Sequence, residues 1–306
     1  MDYPFANGTI KALENKIQDR NKLYVLSKYD KSEFVKVLLA MNYGVTGETV
    51  EELIHSESKK VKELIDSITP NKEDTDLFYV VNDAQNIKIL YKILKFNLNK
   101  YELLQSDFGI SCDILKDAII DGDFKSLNKA QAGLIKELNK ILENVDNPKI
   151  LSSIIDNEIY KYAIKKTKNQ ILKKYLTTKI DITNVISMIR AHNLNWKMKQ
   201  YFEMFVEGGN ISKQVFEDIY NETKEKQIKK LSEYYNEQIS KVLSNTTDFS
   251  QIEISFDRLI LDVMSEYRHD PFNIGPMIYY YLLKEAEAQN IRILYSTNKV
   301  DIKDLI

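Results

Sequence analysis

An all-α fold is what the sequence predicts, and three observations predict it. Only 9 Gly and 5 Pro punctuate 306 residues, too few for an architecture built from strands and tight turns. Apolar residues fall at helical spacing, as in Ile87, Leu90, Tyr91, Leu94 and Leu98, which occupy i, i+3, i+4, i+7 and i+11. Helix-start patterns also recur at intervals near one hundred residues, the mark of a repeated helical unit.

The first such pattern is Asp83-Ala-Gln-Asn-Ile-Lys-Ile-Leu-Tyr-Lys92. Asp83 reads as an N-cap, its carboxylate placed to accept the free amide hydrogens of the first turn. Asp181-Ile-Thr-Asn-Val-Ile-Ser-Met-Ile-Arg190 repeats the pattern 98 residues later, ahead of Val185, Met188 and Ile189. A third start falls 92 residues beyond Asp181, at Asn273-Ile-Gly-Pro276. There Asn273 can cap, and Pro276 suits a first turn whose amides are unpaired anyway. The helix it opens runs past Glu287, and Ile291 to Tyr295 reads as its end rather than as a strand.

A second signature alternates with the first. Ile110-Ser111, Ile211-Ser212 and Val300-Asp301 each set an aliphatic residue before an N-cap. Leu115, Phe216 and Leu305 follow five residues after each aliphatic, the spacing of a hydrophobic staple. Together the two signatures predict a threefold repeat with units at 1–100, 101–205 and 206–306. Polar or Pro-containing breaks are expected at 67–76, 143–149 and 244–251.

Composition narrows the function. Hydrophobic residues make up 43% and charged residues 29%, values of a folded chain. The 43 basic and 45 acidic side chains nearly cancel, which removes the bulk electrostatic case for a nucleic-acid binder. Cys112 is the single cysteine, so no intramolecular disulfide framework can form. The opening MDYPFANGTIK lacks signal-peptide character, and no apolar run reaches the roughly 18 residues of a membrane span. These features lead to the expectation of a cytoplasmic chain.

No catalytic motif emerges. The phosphate-binding Gly-x-x-x-x-Gly-Lys-Ser/Thr loop and a strand-linked Gly-x-Gly-x-x-Gly are both missing. His55, His192 and His269 are scattered, with no His-Glu-x-x-His or Cys-x-x-Cys pattern to hold a metal. His192 extends the Val185/Met188/Ile189 stripe and reads as a packing residue. No cofactor is expected. Two basic features stand out: Lys88, Lys92 and Lys95 at i, i+4 and i+7, and the crowd Lys165, Lys166, Lys168, Lys173 and Lys174. Each reads either as a solvated face or as a docking surface for an acidic partner.

Several segments resemble a known family, the central-stalk C subunits of V-type and A-type rotary ATPases (called d in eukaryotic enzymes). Tyr3…Ala6-Asn7-Gly8-Thr9-Ile10-Lys11-Ala12-Leu13-Glu14 resembles its first helix, although Thr9 and Lys11 stand where arginines are common. Asp83…Asn86-Ile87-Lys88 and Asp181…Asn184…Ile189-Arg190 resemble its two Asp-x-x-Asn segments. Glu207-Gly208-Gly209-Asn210-Ile211-Ser212 is similar to its Gly-Gly-x-Ile-Ser turn. Most specific is Pro276-Met-Ile-Tyr-Tyr-Tyr-Leu-Leu-Lys284-Glu285-Ala286-Glu287-Ala288-Gln289-Asn290-Ile291-Arg292-Ile293, similar to the family's Pro…Lys-Glu-x-Glu-x-x-Asn-Ile-Arg-Ile signature.

The resemblance implies a funnel of three similar helical units with no chemistry of its own. It implies a rotor-coupling subunit that joins the central shaft, made of the D and F subunits, to the membrane proteolipid ring. Through it ATP hydrolysis or synthesis would be coupled to ion transport. Candidate partner contacts are Lys88, Lys92 and Arg190, which end equivalent helix starts, with Tyr281 and Lys284 at comparable depth in the third. Lys284, Glu285 and Arg292 admit a second reading, as ion pairs within the wall of the chain itself. The alternative function is a helical-repeat scaffold that binds soluble proteins.

Overall fold

The computed structural model describes residues 2–45, 47–104, 109–246, 248–297 and 300–306. Among them every regular element is helical and no strand occurs, as the sequence predicts. The chain opens with α1 (Tyr3–Glu14), α2 (Arg20–Tyr24), α3 (Lys31–Ala40) and α4 (Val50–Ile68). Then come α5 (Lys72–Phe96), α6 (Cys112–Lys116), α7 (Lys129–Leu142), α8 (Pro148–Lys166) and α9 (Gln170–Asn193). After these follow α10 (Met198–Phe202), α11 (Lys213–Ile219), α12 (Lys224–Leu231), α13 (Gln238–Asn245), α14 (Phe249–Ser265) and α15 (Gly275–Ser296).

The helices gather into two compact units, one made of Met1–Lys72 with Leu231–Ile306, the other of Glu73–Lys230. In the first, the core joins residues from both ends of the chain. Leu23, Leu26, Phe34 and Leu38 pack with Leu53 and Ile54 of α4 and with Ile291, Leu294 and Leu305. Burial of such side chains stabilises by about 1.5–3 kcal/mol each. In the second unit α8 packs on both α7 and α9. These three helices start on side-chain caps. Asn128 and Gln131 form a capping box on α7, Asn147 precedes Pro148 at the head of α8, and Asn169 accepts from the amides of Ile171 and Leu172 on α9.

Each expected break contains a gap between helices that is shorter than the break itself: α4 ends at Ile68 and α5 begins at Lys72, so 72–76 is already helical, while α7 ends at Leu142 before Pro148, and α13 ends at Asn245 before Phe249. Thr247 in the last of these, like Met1, lies outside the described residues. The staple positions also hold. Ile110 and Leu115, Ile211 and Phe216, and Val300 and Leu305 are all buried around helix starts capped at Ser111, Ser212 and Asp301. Only Asp301 bonds an amide through its side chain, that of Lys303; the two serines hold the cap position without a side-chain bond.

The other signature requires correction. Asp83 and Asp181 are not N-caps, because α5 and α9 begin eleven residues earlier, at Lys72 and Gln170. Both aspartates sit in the helix interior and are buried. The apolar residues upstream, Leu77 to Val81, continue α5 on all its faces, so no polar side marks the true start. Asn273 does turn the chain into α15, accepting the Gly275 amide at 2.7 Å, although Ile274 holds the cap position. Leu94 and Leu98, expected on the buried stripe, are exposed, Leu94 in the last turn of α5 and Leu98 beyond its end at Phe96.

Candidate functional site

The three longest helices, α5, α9 and α15, carry one arrangement in common: a buried acid with a buried asparagine one turn further on. The pairs are Asp83 and Asn86, Asp181 and Asn184, and Glu287 and Asn290, none more than 2% exposed. Each acid anchors a connecting segment by its backbone. Asp83 accepts from the amides of Gly109 and Ile110 at 2.8 and 3.1 Å. Asp181 accepts from the amides of Asn210 and Ile211, both at 3.0 Å, and from the Asn210 side chain at 3.1 Å. Glu287 accepts from the Gln18 amide at 2.8 Å.

The asparagines complete the anchors. Asn184 donates to the Val206 carbonyl at 2.8 Å and accepts from the Val206 amide at 2.9 Å. Asn290 makes the same two-way contact with Ile306, at 3.0 and 2.6 Å. Asn86 donates to the Cys112 sulfur at 3.3 Å. A buried amide left without such a partner costs about 1–3 kcal/mol. The glycines beside these acids explain the close approach. A Cβ on Gly109 would lie 2.6 Å from Asp83, and one on Gly209 2.1 Å from Asp181. Asparagine therefore packs and anchors in all three helices.

The third pair escaped the sequence reading, which placed the third start at Asn273. Its signal was present: Glu287-Ala-Gln-Asn-Ile-Arg292 matches Asp83-Ala-Gln-Asn-Ile-Lys88 in four consecutive residues and keeps the charge sign at both ends.

Around Glu287 the first unit builds a charged cluster at a cavity of about 560 Å³ between α1, α4 and α15. Lys284 pairs with Glu287 on its own helix and with Glu57 of α4, the latter at 2.8 Å. Its ammonium also stands over the Tyr43 ring, 5.4 Å from the centroid. Burial alone would raise the Glu57 carboxyl, but Lys284, Lys60 and the Gly44 amide outweigh it and hold Glu57 below the usual carboxylate range. Burial wins at Glu287, whose pKa is raised despite Lys284 and the Gln18 amide. Lys284 would be lowered by burial, yet the two glutamates hold it above its ordinary value.

The remaining predicted contacts are dispersed. Lys88 pairs with Asp156 of α8 at 2.9 Å. Lys92 is half-buried beside them, lowered by burial and by Lys88 more than Asp156 raises it. Asp156 is raised by burial against the pull of both lysines. Lys95 donates to the Glu143 carbonyl. Arg190 is exposed on α9, whereas Tyr281 is 5% exposed. Arg292 forms a two-pronged pair with Glu51 of α4, its closest contact at 2.8 Å. Lys284 and Arg292 thus both tie α15 to α4 inside one unit. His192 packs on Tyr220, ring centroids 4.6 Å apart, and its Nε2 lies 3.0 Å from the Tyr220 carbonyl.

Among the described residues no group of His, Cys, Asp or Glu could hold a metal ion. No described helix is long and apolar enough to cross a membrane. What the geometry presents is a set of anchored long helices, and its sequence counterpart covers nearly the whole chain. Residues 6–300 match the family described as ATP synthase (C/AC39) subunit. The chain belongs to that family. It is 24% identical to the A-type ATP synthase C subunit of Thermococcus kodakarensis over 95% of this chain and 85% of that protein. It is also 24% identical to the same-named protein of Methanosphaera stadtmanae, covering 95% and 83%. The counterpart from Pyrococcus abyssi is 21% identical, over 95% and 85%. For a C/AC39 subunit, the three acid–asparagine anchors lie wholly within the matched region except for the Ile306 end of the last.

Proposed function

We propose that this chain is the non-catalytic rotor-coupling subunit of a V/A-type ATPase, joining the D and F subunits of the shaft to the membrane proteolipid ring. Membership of the C/AC39 family across residues 6–300 carries the reading. The anchored long helices support it, because a part that transmits torque needs elements that do not slip against their neighbours. The recurrence of the acid–asparagine pair in α5, α9 and α15 supports the further proposal of three related helical units near 1–100, 101–205 and 206–306, arranged as a funnel. On this reading the subunit works on the cytoplasmic face of the membrane, held there by the complex.

Co-purification tests the reading. A tagged chain drawn from detergent-solubilised membranes should bring down both the proteolipid and the D and F subunits. Repeated recovery without either would end the coupling proposal.

The contact residues are a separate proposal. Arg190 is exposed and Lys92 is half-buried beside Asp156, which leaves both within reach of a partner, while Tyr281 is buried and Lys284 ties α15 to α4 inside the wall. The double change Lys92→Ala with Arg190→Ala is expected to weaken D–F binding and flatten its salt dependence. Rim charges contribute about 0.2–1 kcal/mol each, and desolvated ones several. Calorimetry at two salt concentrations decides it: unchanged affinity in a folded variant assigns both residues to the chain's own packing.

A further inference from the structure

The segment from Ile159 to Ile180 holds seven lysines, Lys161, Lys165, Lys166, Lys168, Lys173, Lys174 and Lys179, with no Asp, Glu or Arg among them. It forms the end of α8, a short turn capped by Asn169, and the start of α9. Lys165, Lys166, Lys168 and Lys173 are exposed, and their ammonium groups pair with no carboxylate among the described residues. Lys129, at the head of α7, adds a fifth exposed charge, since it and Lys166 line the same cavity of about 460 Å³. The acids that face this turn come from the start of α5. Asp74 is buried and accepts from Asn169, while Glu73, Asp76 and, further along the helix, the buried Asp83 share the cavity wall with Tyr162. They are fewer than the lysines and leave the turn positive.

The composition of the patch selects its occupant. Protein interfaces are enriched in Arg and aromatic residues and depleted in Lys, because planar guanidinium forks and flat rings give geometry to a contact. This patch has no Arg, and none of the large exposed apolar side chains among the described residues lies in it. Single-stranded nucleic acid would call for stacking aromatics among the charges, and these are missing from the exposed turn. Flexible lysines without anchors suit a surface that is itself diffuse and negative, and clusters of four to eight basic residues bind anionic headgroups in that way. We propose that the α8–α9 turn is a lipid-contact site that adsorbs to anionic phospholipid headgroups by charge, without inserting. This reaches beyond a subunit held at the membrane by protein contacts alone, and it concerns the isolated chain as much as the assembled enzyme.

The test is flotation of the purified full chain with vesicles of phosphatidylcholine alone or with about one-third phosphatidylglycerol added. The chain should float with the anionic vesicles only, and added salt should release it. Each lysine near such a surface contributes up to about a fivefold factor in partitioning. Joint change of Lys165, Lys166, Lys168 and Lys173 to Gln should therefore lower partitioning at least about tenfold. Joint change of the same four to Arg should hold it within about twofold, because charge rather than shape is used. The four ammonium groups have no ion partner among the described residues, so both variants should melt with the wild type, and the salt dependence of the wild type stands as a separate readout. Equal flotation with both vesicle types, retention in the Gln variant, or loss in the Arg variant overturns the proposal. So does a chain that ignores vesicles but whose Gln variant loses the D or F subunit, which would assign the patch to an acidic protein. None of these outcomes bears on whether the wild-type chain co-purifies with the ring and shaft.

Discussion

Changing Lys284 to Met is expected to destabilise the first unit by about 3–5 kcal/mol, the usual consequence of removing one partner from a buried ion pair. Methionine keeps the length and apolar stem of the side chain, so the loss isolates the charge. Glu57 and Glu287, both buried, would then share a wall of the same cavity with the exposed Lys60 near Glu57 and the exposed Lys16 elsewhere in the lining. The two carboxylates would also repel each other, as the mutual effect of Glu57 on Glu287 already indicates.

The pH dependence gives the prediction a sign. In the wild type, the raised Lys284 contributes stability that is complete below its unfolded pKa and lost only as pH rises through its folded one. The lowered Glu57 contributes above its unfolded pKa and is lost as pH falls through its folded value, below the ordinary carboxylate range. The raised Glu287 works the other way, favouring the fold below its unfolded pKa and losing that favour as pH rises through its raised value. Without Lys284, burial is opposed at Glu57 only by Lys60 and the Gly44 amide and at Glu287 by the Gln18 amide, so both carboxyls should rise and act with the sign that Glu287 has now. The variant's deficit should therefore shrink when urea melts are moved from about pH 7 to about pH 5. A deficit that grew on acidification, or did not change, would show that the ion cluster does not govern the stability of α4 against α15.

How much of this was legible beforehand differs between elements for physical reasons. The helical class rested on periodicity and on the scarcity of Gly and Pro, both local properties. The staples were legible because the aliphatic, the cap and the second apolar residue lie within six positions, and Ile211 with Phe216 is buried as that spacing demands. Asp83 misled because an acid ahead of an apolar stripe looks like a cap. Its actual partners, Gly109 and Ile110, lie 26 and 27 residues away, and no local pattern names them. The same holds for Lys284, whose partner Glu57 comes from the other end of the chain. The signature Lys284-Glu285-Ala286-Glu287 was visible as a motif, but its role became readable only when α4 was seen beside it. Of the five predicted contacts, Lys88 and Lys284 were visible as charges and their intrachain partners were not.

Changing Asp181 to Ala should cost about 3–5 kcal/mol, comparable to the loss of Lys284, because at least three donors lose their acceptor in a buried place. They include the amides of Asn210 and Ile211 and the side chain of Asn210. Asp181→Asn keeps one oxygen and should recover part of the loss. Gly209 supplies an independent handle on the same contact. Gly209→Ala places a methyl 2.1 Å from Asp181 Oδ1 and 3.1 Å from the Ile180 side chain, which must push the turn away from the carboxylate. Overpacking of this kind costs about 1–3 kcal/mol. In the Asp181→Ala background the nearest obstacle is gone, so the alanine at 209 should cost less than it does beside an intact aspartate. The double variant is therefore expected to be more stable than the sum of the single effects, by about 1 kcal/mol or more, as residues in direct contact usually are. Urea melts of the four proteins measure that coupling. Strict additivity would mean that the turn at Gly209 is placed by something other than Asp181, and the shared acid–asparagine anchor of α5, α9 and α15 would lose its best-defined member.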